Sequence, residues 1–190
     1  MLLFAAVAES GTQSGKVHID ESLLIGIAEG NRQAFEVLYE KTRKSIYAYA
    51  LSILKNPADA EDVMQDTYLK IRSAAHLYRP EGKPLAWMFT ITRNICLMRI
   101  RQQKHLSLYS YEEAPPEADF LQIDNLEDRI VMQTALKVLK DEECQIIILH
   151  AVTGLKHREI SSLLQIPLST VLSKYNRGLK KLKSELEGKL

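Results

Sequence analysis

Residues 106–128 carry seven acidic side chains, no basic one, and the pair Pro115-Pro116. A segment of this composition repels itself and shows little hydrophobic periodicity, so it reads as a linker and not as part of a packed core. It divides a chain of 190 residues into two blocks, each of which has to bury its own small core. With 46% hydrophobic and 26% charged residues, both cores are feasible. The net charge of +1 conceals the division: residues 20–105 are net +3, the strip is net −7, and residues 129–190 are net +5. Two basic blocks separated by an acidic strip are a sign asymmetry that the function has to explain.

Both blocks read as helical. Leu23, Leu24, Ile27 and Ala28 repeat at helical spacing, as do Phe35, Leu38, Tyr39, Ile46, Ala50, Ile53 and Leu54. This run is expected to continue to Asn56-Pro57, after which Asp59 caps a new helix carrying Val63, Met64, Tyr68, Leu69 and Ile71. Residues 79–84, Arg-Pro-Glu-Gly-Lys-Pro, form a loop, and another helix spans about 85–103. Beyond the linker, helices are expected near 126–138, 141–151, 156–164 and 168–186, punctuated by Gly154 and Pro167. The expected fold class is all-α: a loose tail over 1–19, a helical domain over 20–105, the acidic linker over 106–128, and a helix-turn-helix domain over 129–190.

Several functions fall away. No apolar run approaches the length needed to span a bilayer, so no membrane insertion is expected. The apolar start of the chain has no basic region before it, which argues against a cleaved signal. Cys96 and Cys144 form no CxxC pair, so neither a disulfide framework nor a four-ligand zinc site is expected, and a reducing cytoplasm suits them. His157-Arg158-Glu159 gives the H-x-E of a zinc deaminase without its P-C-x-x-C partner. No catalytic residue, metal ligand or cofactor is assigned.

Residues 156–182 carry the first binding constellation. A short helix with Ile160, Leu163 and Leu164 on one face precedes the turn Gln165-Ile166-Pro167. Ser169 or Thr170 can cap a second helix whose buried stripe is Val171, Tyr175, Leu179 and Leu182. Ser173, Lys174, Arg177, Lys180 and Lys181 lie opposite. A polar, basic second helix in a helix-turn-helix suits the major groove, where side chains reach base edges and cations meet phosphates.

The N-terminal block carries two more. Asp59, Asp62 and Asp66 share one helical face beside Val63 and Leu69, a mixed acidic and apolar stripe suited to a basic partner helix. In the helix after the loop, Trp87, Phe89, Ile91 and Ile95 mix with Arg93, Asn94, Arg99, Arg101 and Lys104. Aromatic rings interleaved with cations suit single-stranded DNA, whose bases stack while its phosphates pair.

Together, DAEDVMQDTYLKIR, RPEGKPLAWMFTITRNICLMRIRQQK and the helix-turn-helix resemble a bacterial sigma factor. More narrowly, the chain resembles the extracytoplasmic-function group, which keeps only regions two and four. The resemblance covers about residues 20–105 and 129–186. It implies that Asp59, Glu61, Asp62, Gln65 and Asp66, with Val63 and Leu69 on the same stripe, dock on the clamp helices of core RNA polymerase. It implies that Trp87, Arg93 and Asn94 engage the minus-ten element, with Lys83 in a loop that holds a flipped base and Arg99, Arg101 and Lys104 adding charge. Ser169, Thr170, Ser173, Lys174 and Arg177 match the minus-thirty-five recognition helix, and Lys181 extends its basic face. The implied partners are core polymerase, promoter DNA as duplex and as melted strand, and an anti-sigma factor.

The chain departs from the group's pattern at Met98, where an acid is common, and at Ser169, where a glycine is usual. Leu172 stands for a common lysine and Lys174 for a common arginine. The rival reading is a dimeric helix-turn-helix regulator with an N-terminal sensor or dimerisation domain, which binds duplex DNA without polymerase.

Overall fold

A computed structural model describes residues 18–106 and 126–187. The expected tail up to residue 17 and residues 107–125 of the acidic strip lie outside the described residues. Every regular element among the described residues is helical. The chain divides into two compact units, one within Asp20–Phe120 and the other within Leu121–Leu190, to which the described residues His18 and Ile19 are also assigned.

The first unit contains α1 (Glu21–Ala28), α2 (Arg32–Leu54), α3 (Pro57–Ala74) and α4 (Pro84–Leu106). The apolar run expected to continue to residue 55 is broken after Ala28. Gly30 takes φ 85°, and Asn31 then caps α2 by accepting the Ala34 N–H at 3.1 Å. A left-handed turn is cheap at glycine, and the Asn31 amide supplies the missing acceptor for the new helix. The cap of α3 also moves: Asn56, not Asp59, accepts the Ala58 and Asp59 N–H groups at 2.9 and 3.2 Å. Pro57 has its φ set for helix and no N–H to leave unpaired, so the helix starts there. Asp59 therefore falls inside the first turn.

Helix α2 is the axis of this unit, and every residue from Ser45 to Ser52 is buried. Helices α1, α3 and α4 all pack on it. Tyr49 meets the Phe89 ring of α4 edge-on at 5.4 Å, and a 2.6 Å hydrogen bond joins the buried hydroxyls of Thr42 and Tyr68. The result is a platform on which α3 and α4 lie side by side.

The second unit contains α5 (Leu126–Val138), α6 (Asp141–Ile147), α7 (His157–Leu164) and α8 (Leu168–Glu187). The expected helix 141–151 does not stay α-helical. Residues Ile148–Val152 form a π-turn, with the Thr153 N–H reaching the Ile148 carbonyl at 3.3 Å. Gly154 then turns the chain at φ 77°. The turn between α7 and α8 uses Gln165 at φ 58°, tied by Ser161 Oγ donating to the Ile166 carbonyl at 2.7 Å. Helix α8 starts directly after Pro167, so Ser169 lies within its first turn and not at its cap.

Gly178 sets how close α8 comes to α6. A Cβ there would stand 2.9 Å from Ile147 Cδ1 and 3.2 Å from Glu143 Cβ. Only a residue without a side chain fits that approach unless its neighbours move.

Candidate nucleic-acid and polymerase interfaces

Asp59 and Asp62 occupy the first turns of α3, where negative charge is favoured by the helix dipole. The structure gives them a second task. Arg99 of α4 donates to Asp59 Oδ1 through Nε at 3.1 Å and Nη2 at 3.0 Å, and to Asp62 Oδ2 at 2.6 Å. Gln103 donates to the other Asp59 oxygen at 2.8 Å. These bonds hold the Arg99 guanidinium more firmly charged than usual, the Asp59 bond contributing most and the Asp62 bond next. Arg99, expected to face DNA, clamps α4 to α3 in this structure. The two acids differ: the Asp59 side chain is 18% exposed and the Asp62 side chain 58%.

The rest of the acidic stripe divides in the same way. Val63 is fully buried, so it supports the face from beneath and cannot touch a partner. Gln65, Asp66 and Leu69 are exposed and Glu61 is half-buried. Leu69, Asp66 and Lys70 form one wall of an open groove of about 780 Å³ whose other wall is Asn94, Ile95 and Met98 of α4. Leu69 is 64% and Met98 51% exposed, so the groove shows apolar surface to solvent. Exposed apolar walls with an acid at the rim suit an amphipathic partner carrying a positive charge.

The loop before α4 is fixed from outside. Glu21 of α1 accepts the Tyr78 hydroxyl and the Gly82 N–H, the latter at 2.6 Å. Tyr78 in turn meets Trp87 edge-on with ring centroids 5.3 Å apart. Trp87 is half-buried, with its ring packed on a neighbour and part of its surface open. Lys83, Asn94, Arg101 and Lys104 are exposed and Arg93 is half-buried. Asn94, of the expected minus-ten set, lines the α3–α4 groove together with Asp66 and Leu69 of the expected polymerase set.

In the second unit, the basic face expected on α8 is partly spoken for. Lys174 pairs with Glu142, and Lys181 Nζ donates to Glu143 Oε2 at 2.8 Å. Arg177 Nη1 lies 3.9 Å from Glu143 Oε1. Glu143 itself is 1% exposed and also accepts the Lys140 N–H. Burial pushes its carboxyl up, but the bonds from Lys181 and Lys140 and the Lys181 and Arg177 charges outweigh this, and its pKa lies below the ordinary value. Lys174 and Lys181 are thus turned sideways onto α6. Ser169, Leu172, Ser173, Asn176, Arg177 and Lys180 are left exposed, with Thr170 half-buried. The sequence reading did not place Leu172 and Asn176 on this exposed face and did not foresee Glu142 and Glu143 as partners. Helical spacing from Ser173 already placed Asn176 on the outer face, whereas nothing local marked the two acids.

The turn between α6 and α7 carries an aromatic cluster. His150 and His157 stack with ring centroids 4.1 Å apart, and Tyr175 of α8 meets each edge-on at 4.9 Å. His150 Nδ1 lies 2.8 Å from the Leu155 carbonyl. Burial, and then the neighbouring His150, lowers the pKa of His157 below that of a free histidine. The folded state thus favours neutral His157. Its contribution to stability is complete above the unfolded pKa of about 6.5 and is lost as pH falls from there toward the folded value. The melting transition of the C-terminal unit in the full chain is therefore expected to fall between pH 7.5 and 5.5. His157→Gln should flatten that slope, and an unaltered slope would remove His157 from the account.

Among the described residues, no three His, Cys, Asp or Glu side chains are grouped to hold a metal. No helix among them is long and apolar enough to cross a membrane.

Comparison with known proteins agrees with this layout. Residues 38–106 match the family model "Sigma-70 region 2" and residues 129–182 match "Sigma-70, region 4". The extracytoplasmic-function RNA polymerase sigma factor SigK of Mycobacterium sp. (strain KMS) is 28% identical over 169 residues, covering 85% of this chain and 88% of the relative. The RNA polymerase sigma factor CarQ of Myxococcus xanthus is 27% identical over 164 residues, covering 85% of this chain and 94% of the relative. Two solved structures share the fold. The sigma factor RpoE of Bartonella quintana, in complex with the anti-sigma factor NepR, superposes with a TM-score of 0.64 at 22% identity over 82% of this chain and 98% of that one. CnrH, in complex with the cytosolic domain of CnrY, gives 0.61 at 24% identity over 89% and 97%. The paired matches, in order along more than half of the sequence, place this chain in the sigma-70 family of RNA polymerase sigma factors, in its extracytoplasmic-function subgroup.

Proposed function

We propose that this sigma factor docks on core RNA polymerase through the exposed acids and apolar wall of the α3–α4 groove, and captures promoter DNA with the adjoining face of α4 and the outer face of α8. The observation that carries this reading is the continuity of the groove: Asp66 and Leu69 lie across it from Asn94. A partner held in that groove brings polymerase next to the residues that meet the melted strand. Trp87, half-buried and steadied by Tyr78, offers the open part of its ring for stacking. Lys83, Arg93, Arg101 and Lys104 supply cations for phosphates. No catalytic group is needed on this chain, because opening a duplex requires only tighter binding to melted than to paired DNA.

The same groove suits an anti-sigma factor, which would compete with polymerase by covering Leu69 and Met98. The chain's place of action on this reading is the cytoplasm, where polymerase and promoter meet.

Co-purification with core polymerase tests the proposal directly. The wild-type chain is expected to form a stoichiometric complex and to direct transcription from its own promoters. Asp66→Lys should weaken the complex by about tenfold, roughly 1.4 kcal/mol. It should leave thermal stability within about 0.5 kcal/mol of wild type, because Asp66 is exposed. A homodimer that binds duplex DNA without polymerase would instead support the rival regulator.

A further inference from the structure

The outer face of α8 is less basic than its sequence suggests. With Lys174 held by Glu142 and Lys181 by Glu143, an apolar side chain and an amide stand out at the centre of the exposed arc. Leu172 is 41% exposed, an unusual position for leucine on a helix that has a well-formed buried stripe of its own. Asn176 lies one turn later on the same side and is exposed. Among the described residues, neither the Asn176 amide nor the Lys180 ammonium has a hydrogen-bond or ionic partner. Ser173 is different: its hydroxyl is turned back onto the Thr170 carbonyl at 3.0 Å.

These two side chains have matching partners in the major groove. An asparagine amide can donate to adenine N7 and accept from adenine N6, and an aliphatic side chain fits the thymine methyl group. Residues four apart on a helix have Cβ atoms about 5–6 Å apart, and base pairs rise about 3.4 Å each. Leu172 and Asn176 therefore span neighbouring or next-neighbouring base pairs. Both lie in the first half of α8, the half that enters the groove in helix-turn-helix docking. Arg177 and Lys180 flank them and can meet phosphates on either side.

We propose that Leu172 and Asn176 are the specificity-determining pair of this sigma factor, reading a thymine methyl and an adenine within a short A·T-containing step of the upstream promoter element. The assignment rests on the promoter-binding role given to α8 above and deepens it. It shifts base reading from Lys174, whose ammonium is engaged on α6, to a face that discriminates by shape and amide geometry. A cation on this face adds affinity for any phosphate, whereas leucine adds affinity only where a methyl group is present.

Holoenzyme assembled from core polymerase and the full chain provides the test, on promoter duplexes selected from a pool randomised over the upstream element. Each thymine in the selected element is then replaced singly by deoxyuridine, which lacks only the methyl group, and each adenine by the other bases. For the wild type, one deoxyuridine should weaken binding by about fourfold, the worth of one buried methyl. One adenine change should weaken it by roughly 5- to 150-fold, the range for a bidentate contact. Leu172→Ala should become indifferent to that methyl group and Asn176→Ala to that adenine, each keeping the other's preference. Both residues are exposed, so both variants should melt with the wild type, and unfolding of the full chain checks this. If the variants keep the wild-type base preferences, or lose affinity evenly on every duplex, the pair does not read sequence and the assignment is overturned. A chain that fails to form holoenzyme at all refutes the sigma-factor interfaces proposed above, and this assignment with them.

Discussion

Gly178→Leu is expected to lower the melting temperature of the C-terminal unit by on the order of 15 °C and to abolish promoter-directed transcription. The reason is steric. At this position even a Cβ stands 2.9 Å from Ile147 Cδ1 and 3.2 Å from Glu143 Cβ, with Leu139 Cδ2 at 3.6 Å. Three further carbons have nowhere to go without lifting α8 from α6. Overpacking of this kind costs roughly 3 kcal/mol, and each kcal/mol is worth about 4–8 °C in a unit of this size. Lifting α8 also draws Lys181 away from the buried carboxylate of Glu143, leaving a charge without its partner. Gly178→Ala makes the informative contrast. Its single carbon meets the flexible end of Ile147, and the strain is offset by about 1 kcal/mol of helix propensity. It should lie within about 1 kcal/mol of wild type. Thermal unfolding of the full chain, followed through the C-terminal transition, separates the two. Tolerance of leucine would mean that α6 and α8 do not approach each other as described.

The second large effect is a difference between two neighbouring acids. Asp59→Lys should destabilise the N-terminal unit by roughly 3 kcal/mol, and Asp62→Lys by less than about 1 kcal/mol. Asp59 accepts from Arg99 and Gln103 with both oxygens at an 18% exposed site. Reversing its charge removes charge-assisted bonds worth about 1.5–3 kcal/mol and sets two cations side by side. Among the described residues Asp62 has a single partner, Arg99, and it is 58% exposed, so solvent screens what it loses. Its expected effect is on polymerase affinity. Denaturant unfolding and core-polymerase binding, measured on both variants, should therefore rank them in opposite orders. Equal stability losses would show that the clamp onto α4 contributes nothing.

Much of this molecule is legible in its sequence, and the missing parts have a common character. Helical periodicity located α3, α4 and all the helices of the second unit, because amphipathic spacing reports a helix's own buried face. The Arg-Pro-Glu-Gly-Lys-Pro loop was equally plain from two prolines and a glycine. The break at Gly30-Asn31 was missed because the apolar spacing continues in phase across it, even though glycine followed by asparagine is a recognisable stop and start. The π-turn at Ile148–Val152 left no local mark: apolar residues suit it as well as they suit an α-helix. The sites follow the same rule. Exposed groups such as Asp66, Asn94 and Ser173 lie where helix geometry put them. The fates of Arg99, Lys174 and Lys181 were set by acids 32 to 40 residues away in sequence. Charge alone gives no sign of whether a basic side chain is turned toward DNA or toward its own fold.

The pairing of Lys174 and Lys181 with α6 bears on how promoter binding responds to its ionic surroundings. DNA binding driven by phosphate neutralisation gains most of its free energy by releasing condensed counterions, with a logarithmic slope of about −0.9 for each phosphate neutralised. A lysine already matched to a glutamate carries little net charge to the duplex, so its arrival frees few of those ions. Of the five basic residues on α8, Lys174 and Lys181 are occupied in this way and Arg177 lies at the edge of the same carboxylate. On the role proposed for α8, promoter occupancy should consequently vary less steeply with potassium concentration than the lysine count implies. A shallow slope of this kind moves the affinities for matched and mismatched sites together, so the ratio between them stays nearly constant as the salt changes.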